Sequence, residues 1–276
     1  MPRQHISGGG GLRLAVHEFG QPDGRTILLI PGINLCSLAW LKQYQSALAE
    51  EFRLVCLDLR GHGMSEKPTA SDQYGQPTLW ADDIHGVLTT LSLRKPVLVG
   101  WSYGGYIIND YLEKYGEGGI GGINYVCAAV VMGRGTGSSM LGSDFINVVP
   151  GMCSDDLTAN VEAVCKFVRI IFAQQPPQDV LEILIACSMV VPPTARLGMI
   201  SRNIDRDTVM KGIRVPVLVT TGEKDAVITP AHTKHLLTCI SHAEVSVFEG
   251  VGHSPQLEDS ERFNQELTRF ARQYAG

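Results

Sequence analysis

The sequence predicts an α/β domain: a mostly parallel central sheet with helices on both faces and an inserted helical cap. Three observations predict it. Short runs rich in Val, Ile and Leu alternate with longer stretches of helical spacing. Those runs carry little polar alternation, as expected of strands buried on both faces of a parallel sheet. One segment, from Arg134 to Gly212, loses the strand rhythm, which resumes at Val215.

The elements follow in order. Leu12–Phe19 reads as an antiparallel lead-in strand, with Asp23-Gly24 as its turn. Thr26–Ile30, Leu54–Leu57, Val97–Val99, Tyr125–Val131, Val215–Thr220 and Val245–Phe248 read as the buried strands. Between them Leu38–Ala49, Leu79–Leu91, Tyr106–Tyr115, Pro230–Ile240 and Ser260–Tyr274 have helical spacing. Pro230 suits a first helical turn, where its missing N–H costs nothing. The βαβα order implies right-handed crossovers. Residues 1–133 and 213–276 therefore form the core, and 134–212 the cap. Within the cap, Leu157–Phe172 and Val180–Met189 read as helices.

Composition narrows the function. Hydrophobic residues make up 44% and charged residues 18% of the 276, enough apolar content for a sizeable core. Net charge is -5, and no Lys/Arg cluster offers a stripe for phosphates, so nucleic acid is not an expected partner. No apolar run approaches the roughly 20 residues that span a bilayer. The polar, Gly-rich Met1–Gly10 lacks the apolar run of a secretory signal, so the expectation is a soluble, cytoplasmic protein. Seven scattered Cys without a CxxC pair predict buried free thiols, neither a disulfide framework nor a zinc site. The number of chains in the assembly stays open.

The chemistry centres on Gly100-Trp101-Ser102-Tyr103-Gly104, a G-x-S-x-G between a predicted strand and a predicted helix. That context is required of a nucleophile elbow, a sharp turn that lifts a serine hydroxyl off the sheet edge. Glycines let strand and helix approach closely. A serine hydroxyl is a weak nucleophile at neutral pH and needs a base within hydrogen-bond reach. His253, in Gly250-Val251-Gly252-His253-Ser254-Pro255, stands in a loop after the last strand, where sites on open sheets gather. His232 and His235 fall on a predicted helix and read as surface residues. Asp225 follows the preceding strand and suits the acid that orients the base, with Glu223 as fallback. An oxyanion hole needs two backbone donors. The candidates are the N–H of Tyr103 and that of Ile33, in Pro31-Gly32-Ile33-Asn34.

Together, Pro31-Gly32, the Asp58–Ser65 motif Asp-Leu-Arg-Gly-His-Gly-Met-Ser, Gly100–Gly105, Asp225 and Gly252-His253 resemble the α/β-hydrolase superfamily. Ala81-Asp82-Asp83-Ile84 with the Gly-Trp-Ser elbow is similar to its cofactor-free haloperoxidase/esterase branch. The resemblance runs from about residue 12 to the C-terminus, apart from the cap. It implies carboxylic-ester hydrolysis through an acyl-enzyme, without metal or organic cofactor. Lactone hydrolysis, C–C bond hydrolysis, acyl transfer and perhydrolysis could use the same triad, and a ligand-sensing receptor is the alternative of another class. The family loop commonly begins His-Gly; here Pro31 replaces the imidazole, which puts that loop's support in question. His62 is read as loop architecture. A small to medium apolar or aromatic ester is the expected substrate. Trp101, Phe145, Val149, Met152, Phe167, Ile171 and Val227 are the candidate pocket residues, with Val148, Met189 and Met199 also considered. Trp101 and Tyr103 could equally pack inside the fold.

Overall fold

A computed structural model of the chain describes residues 3–133 and 140–276. Arg134, the expected start of the cap, lies outside the described residues. The sheet has eight strands: β1 (Arg3–Ser7), β2 (Arg13–Gly20), β3 (Thr26–Ile30), β4 (Arg53–Leu57), β5 (Val97–Trp101), β6 (Gly122–Val126), β7 (Val217–Gly222) and β8 (Glu244–Phe248). Their order is β1-β2-β4-β3-β5-β6-β7-β8. β2 pairs antiparallel with β1 and β4, and every other pairing is parallel. Every residue of β3, β5 and β6 is buried, so both faces of the sheet are covered there. The lead-in strand is present as expected, and β1 beside it is an addition that polar Arg3–Ser7 did not signal.

Thirteen α-helices connect and cover the strands among the described residues. α1 (Leu41–Tyr44), α2 (Leu48–Glu51), α3 (Asp72–Gly75), α4 (Pro77–Thr90) and α5 (Gly104–Tyr115) belong to the first half. α6 (Ser143–Met152), α7 (Leu157–Ile170), α8 (Gln178–Met189), α9 (Pro193–Ile200) and α10 (Asp207–Lys211) lie between β6 and β7. α11 (Pro230–Cys239), α12 (Pro255–Glu258) and α13 (Ser260–Tyr274) complete the core. Proline occupies the first turn of α4, α9, α11 and α12. Asp156 caps α7 by accepting from the Ala159 N–H at 2.8 Å. α13 turns Phe263, Leu267, Phe270 and Ala271 into the core. No single helix among the described residues is long and apolar enough to cross a membrane.

Two expected elements differ. The helix expected over Leu38–Ala49 is a 3₁₀ turn, Ser37–Trp40, followed by the separate short helices α1 and α2. Ser46 breaks it, because its hydroxyl donates to the Gln43 carbonyl and accepts from the Leu48 N–H. The strand expected over Tyr125–Val131 ends at Val126. Cys127 then takes φ 42°, and the chain leaves the sheet.

The site follows from the strand order. β3 and β5 are neighbours although β4 lies between them in sequence. β4 lies on one side of β3, and β6 on the far side of β5, so connections diverge here. Such a switch point leaves a crevice beyond the strands' carboxyl ends. The loop after β3 and the turn after β5 both open into it.

Candidate active site

Ser102 sits one residue beyond β5 and immediately before Tyr103 and α5. Its φ is 54°, in the left-handed region that a side chain rarely adopts. The elbow is held by close packing at its glycines. A Cβ at Gly100 would lie 2.6 Å from Ile108 Cδ1, and one at Gly104 would lie 2.7 Å from the Ile30 carbonyl oxygen. Backbone bonds fix the turn on the other side: Ser102 N–H donates to Val126 O at 2.9 Å, and Ala129 N–H to Ser102 O at 3.0 Å.

His253 and Asp225, the expected base and acid, meet. His253 Nδ1 and Asp225 Oδ2 are 2.8 Å apart, and both side chains are almost fully buried. Asp225 Oδ1 accepts the N–H groups of Val227 and Ile228 at 2.8 and 2.9 Å. The carboxylate is therefore fixed in place, and His253 Nδ1 must carry the proton that binds it. The His253 loop is tied down separately. Trp101 Nε1 donates to the His253 carbonyl at 2.8 Å, and Ser254 Oγ to the Ile171 carbonyl at 2.9 Å. Glu258 accepts from Gly252 N–H at 3.0 Å and from Ala173 N–H at 2.9 Å, joining this loop to the cap. Ser102 and His253 share no hydrogen bond in this structure. Such catalytic contacts are often long without substrate and tighten when it binds. Glu223, the fallback acid, is exposed and braces the Gly250 turn through its N–H at 2.9 Å.

The loop after β3 runs against the serine. A Cβ on Gly32 would lie 2.9 Å from Ser102 Cβ, so only glycine lets the loop come this near. The N–H groups of Ile33 and Tyr103 have no protein acceptor among the described residues. His62 supplies the imidazole that Pro31 lacks: its Nε2 accepts the Asn34 N–H at 3.1 Å, which puts the proton on Nδ1, facing the Arg60 carbonyl at 2.8 Å. Burial pulls His62 down to about 4, so it is neutral near pH 7. Asp58 anchors the same loop further along by accepting the Ser37 and Met64 N–H groups, each at 2.8 Å.

A cavity of about 380 Å³ opens beside Ser102, Ile33 and Tyr103. Phe145, Val149 and Val227 line it, as expected from sequence. Trp101, Met152, Phe167 and Ile171 do not. Trp101 is fully buried, with its ring 5.8 Å from that of His253 and 6.2 Å from that of Trp40. Met152 Sδ accepts from Asn34 Nδ2, and Phe167 packs behind Phe145 with ring centres 6.1 Å apart. Ile171 is fully buried outside the cavity. Val148, Met189 and Met199 also lie outside the cavity. Sequence reasoning missed Tyr106, Met132, Leu141, Ile146, Ile200 and Ile228. Tyr106, two residues past Gly104 on α5, was within reach; the others depend on how segments distant in sequence meet in the fold. No charged side chain lines the cavity among the described residues.

His232 departs from expectation. It is fully buried, and its Nε2 accepts the N–H groups of Val130 and Val131 at 2.6 and 3.1 Å. It thus satisfies backbone left unpaired where the chain leaves β6. His235 is partly exposed, against Asp207 at 2.7 Å. Among the described residues, two clusters bring potential metal donors within 4.8 Å of one another: Cys127 with Asp225 and His253, and Asp207 with His235 and Cys239. The first joins residues far apart in sequence, and the second adds Asp207 to an i, i+4 pair on α11. In the first, the two donors nearest to hand are already bonded to each other. All seven Cys are free thiols.

Comparison with known proteins matches this geometry to a family. The alpha/beta hydrolase family model matches residues 27–266. A candidate aryl esterase from Burkholderia cenocepacia is similar in structure, with TM-score 0.94 and 30% identity over 99% of this chain and 98% of that one. The esterase RhEst1 from Rhodococcus sp. ECU1013 gives TM-score 0.93 at 30% identity, each chain covered completely. Among curated proteins, the non-heme chloroperoxidase CPO-A1 of Kitasatospora aureofaciens is 27% identical over 94% of this chain and 96% of its own. With the family model spanning most of its length and its serine on a strained turn after β5, the chain belongs to the alpha/beta hydrolase family.

Proposed function

We propose that the chain hydrolyses carboxylic esters of small to medium apolar or aromatic substrates through an acyl-enzyme on Ser102. One observation carries the reading: Ser102, the Ile33 and Tyr103 N–H groups, and a cavity with no charged side chain among the described residues share one place, behind which His253 is held by Asp225. Ser102 Oγ attacks the acyl carbon while His253 Nε2 takes its proton. The two N–H groups receive the oxyanion. His253 returns the proton to the leaving alcohol, then activates water to release the acid. Asp225 holds the imidazole in the right tautomer and stabilises the imidazolium. The apolar walls formed by the described residues disfavour a charged substrate, because a carboxylate buried against them would find no partner among them. The similar esterases support the same bond class.

The test is turnover of p-nitrophenyl esters from acetate to dodecanoate by wild type and by Ser102→Ala. Turnover of a short or medium ester, abolished in the variant, is the expected result. A wild type no faster than Ser102→Ala on every chain length rules the ester reading out.

A further inference from the structure

Arg196 lies on α9 in the cap and is completely buried. It forms no ion pair with a carboxylate among the described residues. Its guanidinium is spent on neutral acceptors. Nη1 donates to the Met152 carbonyl at 2.7 Å and to Asn160 Oδ1 at 3.2 Å, and Nη2 donates to the Ser188 carbonyl at 2.7 Å. These belong to α6, α7 and α8, so one side chain ties four cap helices together. The Nε donor leaves these helices and reaches Asn34 Oδ1 at 2.7 Å. A buried cation facing only neutral groups is costly, and an apolar side chain of similar volume would pack the cap at less cost. Burial draws the guanidinium down only to about 10, so it is protonated at neutral pH.

The position of Asn34 gives this contact its meaning. Leu35 N–H donates to the Gly32 carbonyl at 3.3 Å, closing a four-residue turn with Ile33 and Asn34 at its centre. Asn34 has φ 67°. A positive φ at the third position is the mark of a type II turn, favoured by Gly or Asn there. Asn34 is gripped from both sides, its N–H by His62 in the core and its side chain by Arg196 in the cap. A change of turn type would flip the central Ile33–Asn34 peptide and take the Asn34 N–H off His62, loosening the turn in which Ile33 and its N–H are held.

We propose that Arg196 is a positioning residue for the oxyanion hole: from the cap it holds Asn34 in its left-handed conformation, and with it the turn that aims the Ile33 N–H at the reacting oxygen. The inference rests on the ester-hydrolase reading of Ser102. It separates chemistry from binding, because Arg196 does not line the cavity.

The experiment compares wild type, Arg196→Met, Arg196→Lys and Asn34→Gly, with active sites counted by a fluorophosphonate that phosphonylates Ser102 with loss of fluoride. Removing one oxyanion donor costs ~10²–10³ in rate, so misplacing one in Arg196→Met is expected to lower kcat by about 10- to 100-fold. KM on the best p-nitrophenyl ester should move by less than about threefold, since the loss falls on the transition state. An alkyl boronic acid, whose adduct with Ser102 uses the oxyanion hole, should lose affinity in parallel. Arg196→Lys should fall between, because an ammonium cannot reproduce the guanidinium fork. Asn34→Gly keeps the backbone permissive and leaves Arg196 its cap contacts. It should lose kcat in the same direction, and it decides the question if Arg196→Met does not fold. A kcat per titrated site equal to wild type in Asn34→Gly and in folded Arg196→Met, or a change confined to KM or Tm, overturns the proposal. The phosphonylation rate reads the hole without ester turnover. A wild type that labels rapidly but cleaves no ester therefore counts against the substrate reading, and equal labelling in the variants against Arg196.

Discussion

At the scale of single residues, the candidate site depends on groups that could hardly be anything else. Gly32 shows this best, since a methyl there would press on the Cβ of the serine at 2.9 Å. Gly32→Ala is expected to lower kcat by about tenfold or more with the fold intact, because the loop must retreat and carry the Ile33 N–H with it. Steady-state kinetics beside a far-UV circular dichroism spectrum checks this, and unchanged kcat would show that the loop can yield elsewhere. The turn at Ser102 and the pairing of Asp225 with His253 were legible because a strained turn and strand-end loops make particular demands. Those demands leave Gly, Pro and acidic residues in the sequence. The support for Asn34 was not legible. Pro31 suggested that a helpful imidazole had been lost, while His62, 28 residues away from Asn34, restores one. Only the fold brings the two loops together.

At the scale of elements, two buried imidazoles hold backbone where strands end. His62 braces the loop after β3, and His232 braces the chain beyond β6. Burial draws each down to about 4, well below the ordinary value near 6.5. The folded chain therefore keeps them neutral while the unfolded chain takes up protons. Their contribution is complete above about pH 6.5 and declines as pH falls towards 4, by up to ~3 kcal/mol for each. Tm followed from pH 8 to 4 should drop over that window, and the drop should be shallower in His62→Gln and His232→Gln. Equal slopes in all three proteins would contradict the assignment. His232 also explains a misjudged boundary. Tyr125–Val131 has the composition of a strand, yet only its first two residues lie in β6. A histidine on α11, more than a hundred residues later, takes over the hydrogen bonds a neighbouring strand would have made. Likewise the hydroxyl of Ser46 divides a segment whose apolar spacing suits one helix.

At the scale of the whole molecule, the α/β class and the run of helices before β7 were readable from hydrophobic rhythm. The residues lining the cavity were not. Apolar side chains on a cap helix look alike in sequence whether they face a substrate or the helix behind. Phe145 and Phe167 illustrate it, since they touch, yet only Phe145 meets the cavity. The motifs Asp58–Ser65 and Ala81–Ile84 acquire a shared purpose in the fold. Arg60 and Asp83 form a two-pronged buried ion pair, Nε to Oδ2 at 2.7 Å and Nη2 to Oδ1 at 2.8 Å, with Gly9 N–H on the same carboxylate at 2.8 Å. Removing one partner strands a charge in the interior. Asp83→Ala is thus expected to destabilise the protein by about 3–5 kcal/mol in urea unfolding. A loss below about 1 kcal/mol would mean that water or a neighbour replaces the carboxylate.

Helices α6 to α10 all lie between β6 and β7, so one uninterrupted stretch of sequence carries the Phe145, Val149 and Ile200 wall of the cavity. For protein engineering this makes the segment a candidate cassette for a new substrate preference, provided the graft keeps the Ile171 and Ala173 contacts that hold the His253 loop. The contact between Arg196 and Asn34 sets the condition for such a graft. A foreign cap must deliver a guanidinium to the same amide, or it will bind its new substrate and turn it over slowly.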